Sequence, residues 1–222
     1  MALCREVSTP LDRFLEANVI AQKIHADFQT AIRRGILGEY FRGRRFPNSV
    51  LNPTSEQLWA PSASKQKLGR YNESGNRVLY LSRTPQTVAA ECPPSDDKPW
   101  LFIQKFCLNL PKERMLALTL DLELKFPHLH YLLLDSEYVP ERTAEFANVR
   151  NPYRATHFLA YLASLNGVSG IEYPSIRAGI PTDSSKVNFA LLGKAVAEAE
   201  AMTEGGPFRL SEIETRHLTI KA

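Results

Sequence analysis

The sequence predicts a mixed-sheet α+β (mixed α/β) domain behind an amphipathic N-terminal helix, and two patterns and one absence say so. Between Pro10 and about Leu37, the apolar residues Leu11, Leu15, Val19, Ile20, Ile24, Phe28 and Ile32 recur at three- and four-residue steps, the period of a one-sided helix. Further on, short apolar runs of strand character alternate irregularly with helical ones. No Gly-x-Gly-x-x-Gly turn follows a strand, which argues against a doubly wound dinucleotide fold.

Taken in order, Gly35 and Gly38 are expected to end the first helix, because glycine is costly inside one and favoured just past its end. Residues 1–37 are thus read as a helical extension and 38–222 as one domain. Glu39 to Arg44 reads as a short strand. Residues 46 to 76 hold Pro47, Pro53, Pro61, Gly69 and Gly75 among polar residues, a long irregular segment. Arg77 to Ser82 is a compact apolar strand. Thr84 then caps a helix with Pro85 at its first position, since a hydroxyl can accept an orphan N–H and proline has none to leave unpaired.

Trp100 to Leu110 and Leu116 to Leu122 read as strands joined by a turn at Pro111-Lys112-Glu113, hence a hairpin. Asn151-Pro152 opens a helix with the stripe Ala155, Phe158, Leu159 and Leu162, ended by Asn166-Gly167. Ile171 to Tyr173 and Val187 to Leu192 follow as strands, Gly193 to Met202 as a helix, and Ile213, Thr215, His217 and Thr219 as the alternation of a closing strand.

Composition excludes several classes. The chain has 222 residues, 44% hydrophobic and 23% charged, which is near the average for folded domains and far from a disordered or fibrous chain. No apolar run approaches the ~20 residues of a membrane-spanning helix, and the N-terminus lacks a basic stretch leading into an apolar one. Cytoplasmic residence is the expectation. Three widely spaced cysteines, Cys4, Cys92 and Cys107, fit neither a disulfide framework nor a zinc site; they read as free thiols, with Cys107 buried in a strand. A net charge of +3 is too small to demand a polyanion, yet Arg33, Arg34, Arg42, Arg44 and Arg45 cluster against Glu39 alone, as a solvated turn or a phosphate site would. His128 and His130 lack a carboxylate or cysteine to complete a metal site, so no metal is expected. Phe102, Phe106 and Tyr131 read as core.

Chemistry concentrates in two stretches. The first, Leu68-Gly69-Arg70-Tyr71-Asn72 through Val78-Leu79-Tyr80-Leu81-Ser82 to Glu91, runs loop arginine, strand tyrosine, helix carboxylate. The second, Gly170-Ile171-Glu172-Tyr173-Pro174-Ser175, ends a strand on a serine and leads to Val187-Asn188-Phe189. With Tyr40-Phe41-Arg42-Gly43-Arg44 upstream, these motifs resemble the RES domain, a family named for an arginine, a glutamate and a serine, over roughly residues 38 to 195. The three letters fall on Arg70 or Arg42, on Glu91 and on Ser175. The segment from Arg45 to Gly69 is long for the pattern, and residues 178 to 186 form an insertion before the Val-Asn-Phe strand.

The resemblance implies a fold similar to ADP-ribosylating toxins and cleavage of NAD at the nicotinamide–ribose bond by water or by inorganic phosphate, with NAD as substrate and no cofactor. It also implies a toxin held in check by an antitoxin protein. Glu91, Arg70, Arg42, Tyr80 and Ser175 would be catalytic, and Arg44, Tyr71, Asn72 and Asn188 would bind substrate. The residue types suit the reaction. Neutral nicotinamide leaves a cationic pyridinium without needing an acid, and a carboxylate can stabilise the positive charge that builds on the ribose. Guanidinium forks match phosphate oxygens. Tyr80 would meet the nicotinamide or ribose, and Ser175 a ribose hydroxyl or the carboxamide; otherwise Ser175 caps the next turn. Other readings are an ADP-ribosyltransferase acting on a macromolecule, a nucleic-acid module built on the arginines, and an interaction protein whose first helix packs on a partner or forms a homodimer. The nucleic-acid reading is disfavoured by the modest charge and the lack of interleaved aromatic and basic residues.

Overall fold

The computed structural model of the chain describes residues 19–50, 53–73, 76–118, 125–130, 153–175, 177–178, 184–193 and 196. Helical periodicity stops earlier than expected: α1 (Val19–Ala31) passes directly into β1 (Ile32–Phe46). Residues 10–18 of the expected helix lie outside the described residues. Gly35 and Gly38, read as helix terminators, sit inside β1 with φ of 84° and 115°. The ladder to β3 (Trp100–Ala117) overrides the helical pattern, running antiparallel from Ile32↔Leu116 to Phe46↔Trp100.

The expected hairpin does not form, because Pro111-Lys112-Glu113 lies within β3. The register steps from Arg34↔Arg114 to Ile36↔Leu110, leaving Gly35 opposite the extra residues. A bulge absorbs them: proline has no N–H to lose from a ladder there, and glycine takes the left-handed φ that the kink needs. The continuation to Leu122, the helix start at Asn151, most of Gly193 to Met202, the closing strand, Cys4 and Tyr131 lie outside the described residues.

Elsewhere local chemistry decides. Among the described residues of the irregular segment, a single helical turn, α2 (Ser55–Leu58), and a 3-10 turn at Ala63–Lys65 form. After β2 (Val78–Ser82), the Thr84 side chain accepts the N–H of Thr87 and Pro85 opens α3 (Pro85–Glu91), as the cap motif predicts. In α4 (Arg154–Leu165), Ala155, Leu159 and Leu162 are buried, and Gly167 beyond the helix takes φ 61°. Then β4 (Val168–Pro174) and β5 (Val187–Leu192) complete the sheet.

The five described strands close into a barrel in the order β1-β2-β5-β4-β3, with β3–β4 parallel and every other described pair antiparallel. The closing seam between β1 and β2 is a single pair, Phe41↔Ser82. The inner cluster draws Tyr40, Leu79, Leu81, Phe106 and Phe189 from four strands, joined by Trp59 of the irregular segment. The outer face packs Phe28 of α1 and Leu159 and Leu162 of α4 against Leu116, Ile171 and Ala190. His128 ties residues 127–130 to α1, its backbone N–H and Nδ1 meeting Asp27 Oδ2 at 2.9 and 3.1 Å. Phe102 and Phe106 are core as expected, whereas Cys107 is only half-buried in β3, its position alternating away from that core.

Candidate active site

Strand alternation puts Tyr80 and Ser82 of β2, Asn188 and Ala190 of β5, and Ile171 and Tyr173 of β4 on one face. Register then aligns them in rows: Ser82, Asn188 and Tyr173 stand side by side across three strands, and Tyr80, Ala190 and Ile171 form the next row. Ser175 lies two residues beyond Tyr173, just past the strand end, pinned by its N–H to the Lys186 carbonyl at 2.9 Å.

Into this corner α3 delivers Glu91, its last residue. Ser175 Oγ donates to Glu91 Oε1 at 2.7 Å and Asn188 Nδ2 donates to the same oxygen at 2.6 Å. Ser82 Oγ donates to Asn188 Oδ1 at 2.7 Å. Ser175 Oγ also accepts the Ala178 N–H at 3.1 Å, so it caps the next turn and holds the carboxylate at once. Ser175 and Asn188 are buried, while the Glu91 side chain stays 31% exposed, with Arg177 Nε 4.0 Å from Oε2. One carboxylate oxygen is therefore occupied by two buried donors, and the other lies 4.0 Å from the exposed Arg177 guanidinium.

Beside it stands the Arg70 loop, fixed by its own polar groups. Tyr80 Oη accepts the Tyr71 N–H at 2.9 Å and donates to Asn72 Oδ1 at 2.8 Å; Asn72 Nδ2 donates to the carbonyls of Lys67 and Glu73 at 2.8 and 2.9 Å. From α4, Thr156 Oγ1 donates to the Arg70 carbonyl and His157 Nε2 to that of Gly69, the latter at 2.8 Å. Gly69 is required by close approach, since a Cβ there would stand 2.5 Å from Asn72 Oδ1. So held, the Arg70 guanidinium lies 5.4 Å above the Tyr173 ring, against which the Tyr71 ring packs at 4.8 Å.

Burial pushes the Tyr80 hydroxyl up from its ordinary pKa, opposed by the hydrogen bond from Tyr71 and by Arg70. Tyr173 is pushed well up by burial first and then by Tyr71 and Tyr80; Arg70 draws it down and Glu91 raises it, so this one side chain feels both candidate charges. Because both Tyr80 hydrogen bonds are committed, Tyr80→Phe is expected to take the phenol oxygen away from the Tyr71 N–H and from Asn72 Oδ1 and to cost about 1–3 kcal/mol. Urea unfolding reads that loss, and an unchanged midpoint would remove Tyr80 from the loop's support.

The structure thus brings together Glu91, Ser175 and Asn188, sets Arg70 and Tyr71 over Tyr173 beside them, and uses Tyr80 and Asn72 beneath the loop. Arg42 and Arg44 are not in the cluster. Arg42 pairs across the ladder with Gln104, and its Nη1 donates to the Tyr80 carbonyl at 3.3 Å. Burial and then repulsion from Arg44 lower it to about 10, opposed by Cys92, which leaves it charged at neutral pH. Arg44 donates to the Gln57 carbonyl at 2.6 Å. Ser82, Tyr173 and Arg177 were not singled out from the sequence. Period two would have found the first two, which stand two residues from Tyr80 and Ser175 on the same face.

A cavity of about 620 Å³, lined among others by Tyr71, Asn72, Arg77, His157 and Tyr161, adjoins the loop without touching Glu91, Ser175 or Arg70. Its walls include Glu73, whereas Glu91, the carboxylate held by the buried donors Ser175 and Asn188, lies outside it. No described helix is long and apolar enough to cross a membrane.

A closed mixed α+β barrel whose polar corner is built from a loop arginine, a helix-end glutamate and a strand-end serine defines a class by those three residues in that order. The RES domain family model matches residues 42–211, and the chain belongs to that family. The match spans Arg42, Arg70, Glu91 and Ser175. No curated protein matches the chain. Among solved structures, a chain in the crystal structure of the M.tuberculosis MbcT-MbcA toxin-antitoxin complex is similar at 12% identity, covering 87% of this chain and 92% of that one with a TM-score of 0.47.

Proposed function

We propose that this chain cleaves NAD at the nicotinamide–ribose bond, passing the ADP-ribosyl group to water or to inorganic phosphate, as the toxin of a toxin–antitoxin pair. The observation that carries the chemistry is the polarity of Glu91: both buried donors fall on Oε1, while Oε2 has the exposed Arg177 at 4.0 Å and is the oxygen that would meet charge developing on a substrate. As nicotinamide departs with the bonding electron pair, C1 of the ribose becomes oxocarbenium-like, and a fixed carboxylate oxygen stabilises it without reorganising. The same oxygen orients the incoming water or phosphate, whose oxygen forms the new bond to C1; water passes its proton to that carboxylate as the bond forms, and an anionic phosphate oxygen has none to lose. Arg70 supplies the fork for the pyrophosphate or for attacking phosphate, and Tyr71 and Tyr173 give it an aromatic wall. Ser175 and Asn188 hold the carboxylate; Tyr80 and Asn72 hold the loop. Arg42, behind the sheet, contributes a buried positive charge at the Tyr80 carbonyl, and Arg44 fastens the segment at Gln57. The toxin role, with an antitoxin as partner, rests on the family.

The test is to incubate the purified chain with NAD, with and without phosphate, and to identify products by mass. Free nicotinamide is expected, with ADP-ribose when water is the acceptor and ADP-ribose 1-phosphate when phosphate is. Absence of nicotinamide release under both conditions would sink the reading, and an ADP-ribose increment on a macromolecule would replace it with a transferase.

A further inference from the structure

We infer that Ser82, which lies outside the residues of the NAD-cleaving reading above but rests on that reading, is the positioning residue that sets the working orientation of Glu91 through Asn188. The argument is one of hydrogen-bond polarity. An ionised carboxylate only accepts, so the group 2.6 Å from Glu91 Oε1 must be the amide nitrogen of Asn188. The amide oxygen then points the other way, and a buried amide oxygen needs a donor. Ser82 Oγ is that donor at 2.7 Å, itself buried and directly opposite Asn188 in the β2–β5 register.

Every link therefore points one way: Ser82 gives to Asn188, Asn188 gives to Glu91, and Ser175 gives to the same oxygen. Without the Ser82 hydroxyl, the buried Asn188 Oδ1 loses its donor, and only the contact of the amide nitrogen with Glu91 Oε1 is left to hold the side chain. An amide that turns to find another donor for Oδ1 withdraws its nitrogen from Oε1 and releases Glu91 from the orientation that presents Oε2. Ser82 touches no substrate in this arrangement; it acts through the side chain beside it. A Ser at the end of an apolar strand would otherwise read as a strand terminator.

Three variants of the full chain test this. Ser82→Ala is expected to lower kcat for nicotinamide release roughly tenfold with KM unchanged, because the hydrogen bond that orients the Asn188 amide toward the carboxylate is lost and none is lost at the substrate. Ser82→Thr, which keeps the hydroxyl, is expected to recover most of that loss. In an Asn188→Ala background, Ser82→Ala should add nothing, since the link it acts through is gone. Independently of turnover, the Asn188 side-chain amide resonances in ¹⁵N spectra should move in Ser82→Ala while the remainder of the spectrum stays folded. Unmoved Asn188 resonances with unchanged kcat, or a full additional loss on top of Asn188→Ala, would overturn the proposal. If the wild-type chain releases no nicotinamide, the functional reading fails and the amide spectrum alone decides whether Ser82 orients Asn188.

Discussion

Glu91→Gln is expected to abolish nearly all nicotinamide release while leaving the fold intact, a loss on the order of 10²–10³ in kcat, the range for removing one preorganised charge-stabilising group. The substitution is unusually clean here. The glutamine carbonyl can take the place of Oε1 and still accept from Ser175 and Asn188, so the buried half of the corner stays satisfied. Its NH₂ replaces Oε2 on the side chain's exposed side, near Arg177, where water is available to it. What disappears is the negative charge at Oε2. Initial-rate measurements at saturating NAD, alongside thermal unfolding, check the split: turnover near wild type at an unchanged Tm would take Glu91 out of the mechanism. An equally large loss with a lowered Tm would instead assign it a packing role.

How far the sequence carries this site is clearest residue by residue. Thr84-Pro85 announces α3, because capping is a local exchange of hydrogen bonds that neighbours alone determine. Val187 to Leu192 and Val78 to Ser82 are legible as strands because their apolar runs are bounded by turn chemistry. The bulge that pairs Gly35 with Pro111 to Glu113 is illegible, since it belongs to two segments far apart in the chain and to neither alone. For the same reason the helix-to-strand change at Ile32 is hidden, its ladder partner lying at Leu116. Motif order brings out Glu91, Ser175 and Asn188. Motifs do not show which face each side chain takes, and so Arg42 and Arg44 were grouped with residues that the barrel separates from them. Register supplies what motif order lacks: it makes Ser82 and Tyr173 neighbours of Asn188 across β5.

Gly43 lets α3 sit close against β1, and Gly43→Ala is expected to damage both stability and turnover. A Cβ at this position of β1 would stand 2.2 Å from Val88 Cγ1 and 3.1 Å from Leu101 Cδ1. Val88 is buried in α3, and its branched side chain has little rotamer freedom on a helix, so it cannot fold away from the intrusion. The helix as a whole must lift from the strand. Overpacking of this kind costs about 1–3 kcal/mol. The displacement is also transmitted to Glu91 at the end of the same helix, whose contacts to Ser175 and Asn188 have no slack at 2.7 and 2.6 Å. A misplacement near 1 Å at a reacting group can cost roughly 10²-fold in rate. Removing the obstructing methyls should relieve the clash, so Gly43→Ala combined with Val88→Ala is expected to turn over faster than Gly43→Ala alone, although Val88→Ala by itself only removes packing. Urea midpoints and kcat measured for both single variants and the double give the coupling directly. Strict additivity in both would mean that α3 does not depend on Gly43 for its seat, and that Glu91 is positioned by its hydrogen bonds alone.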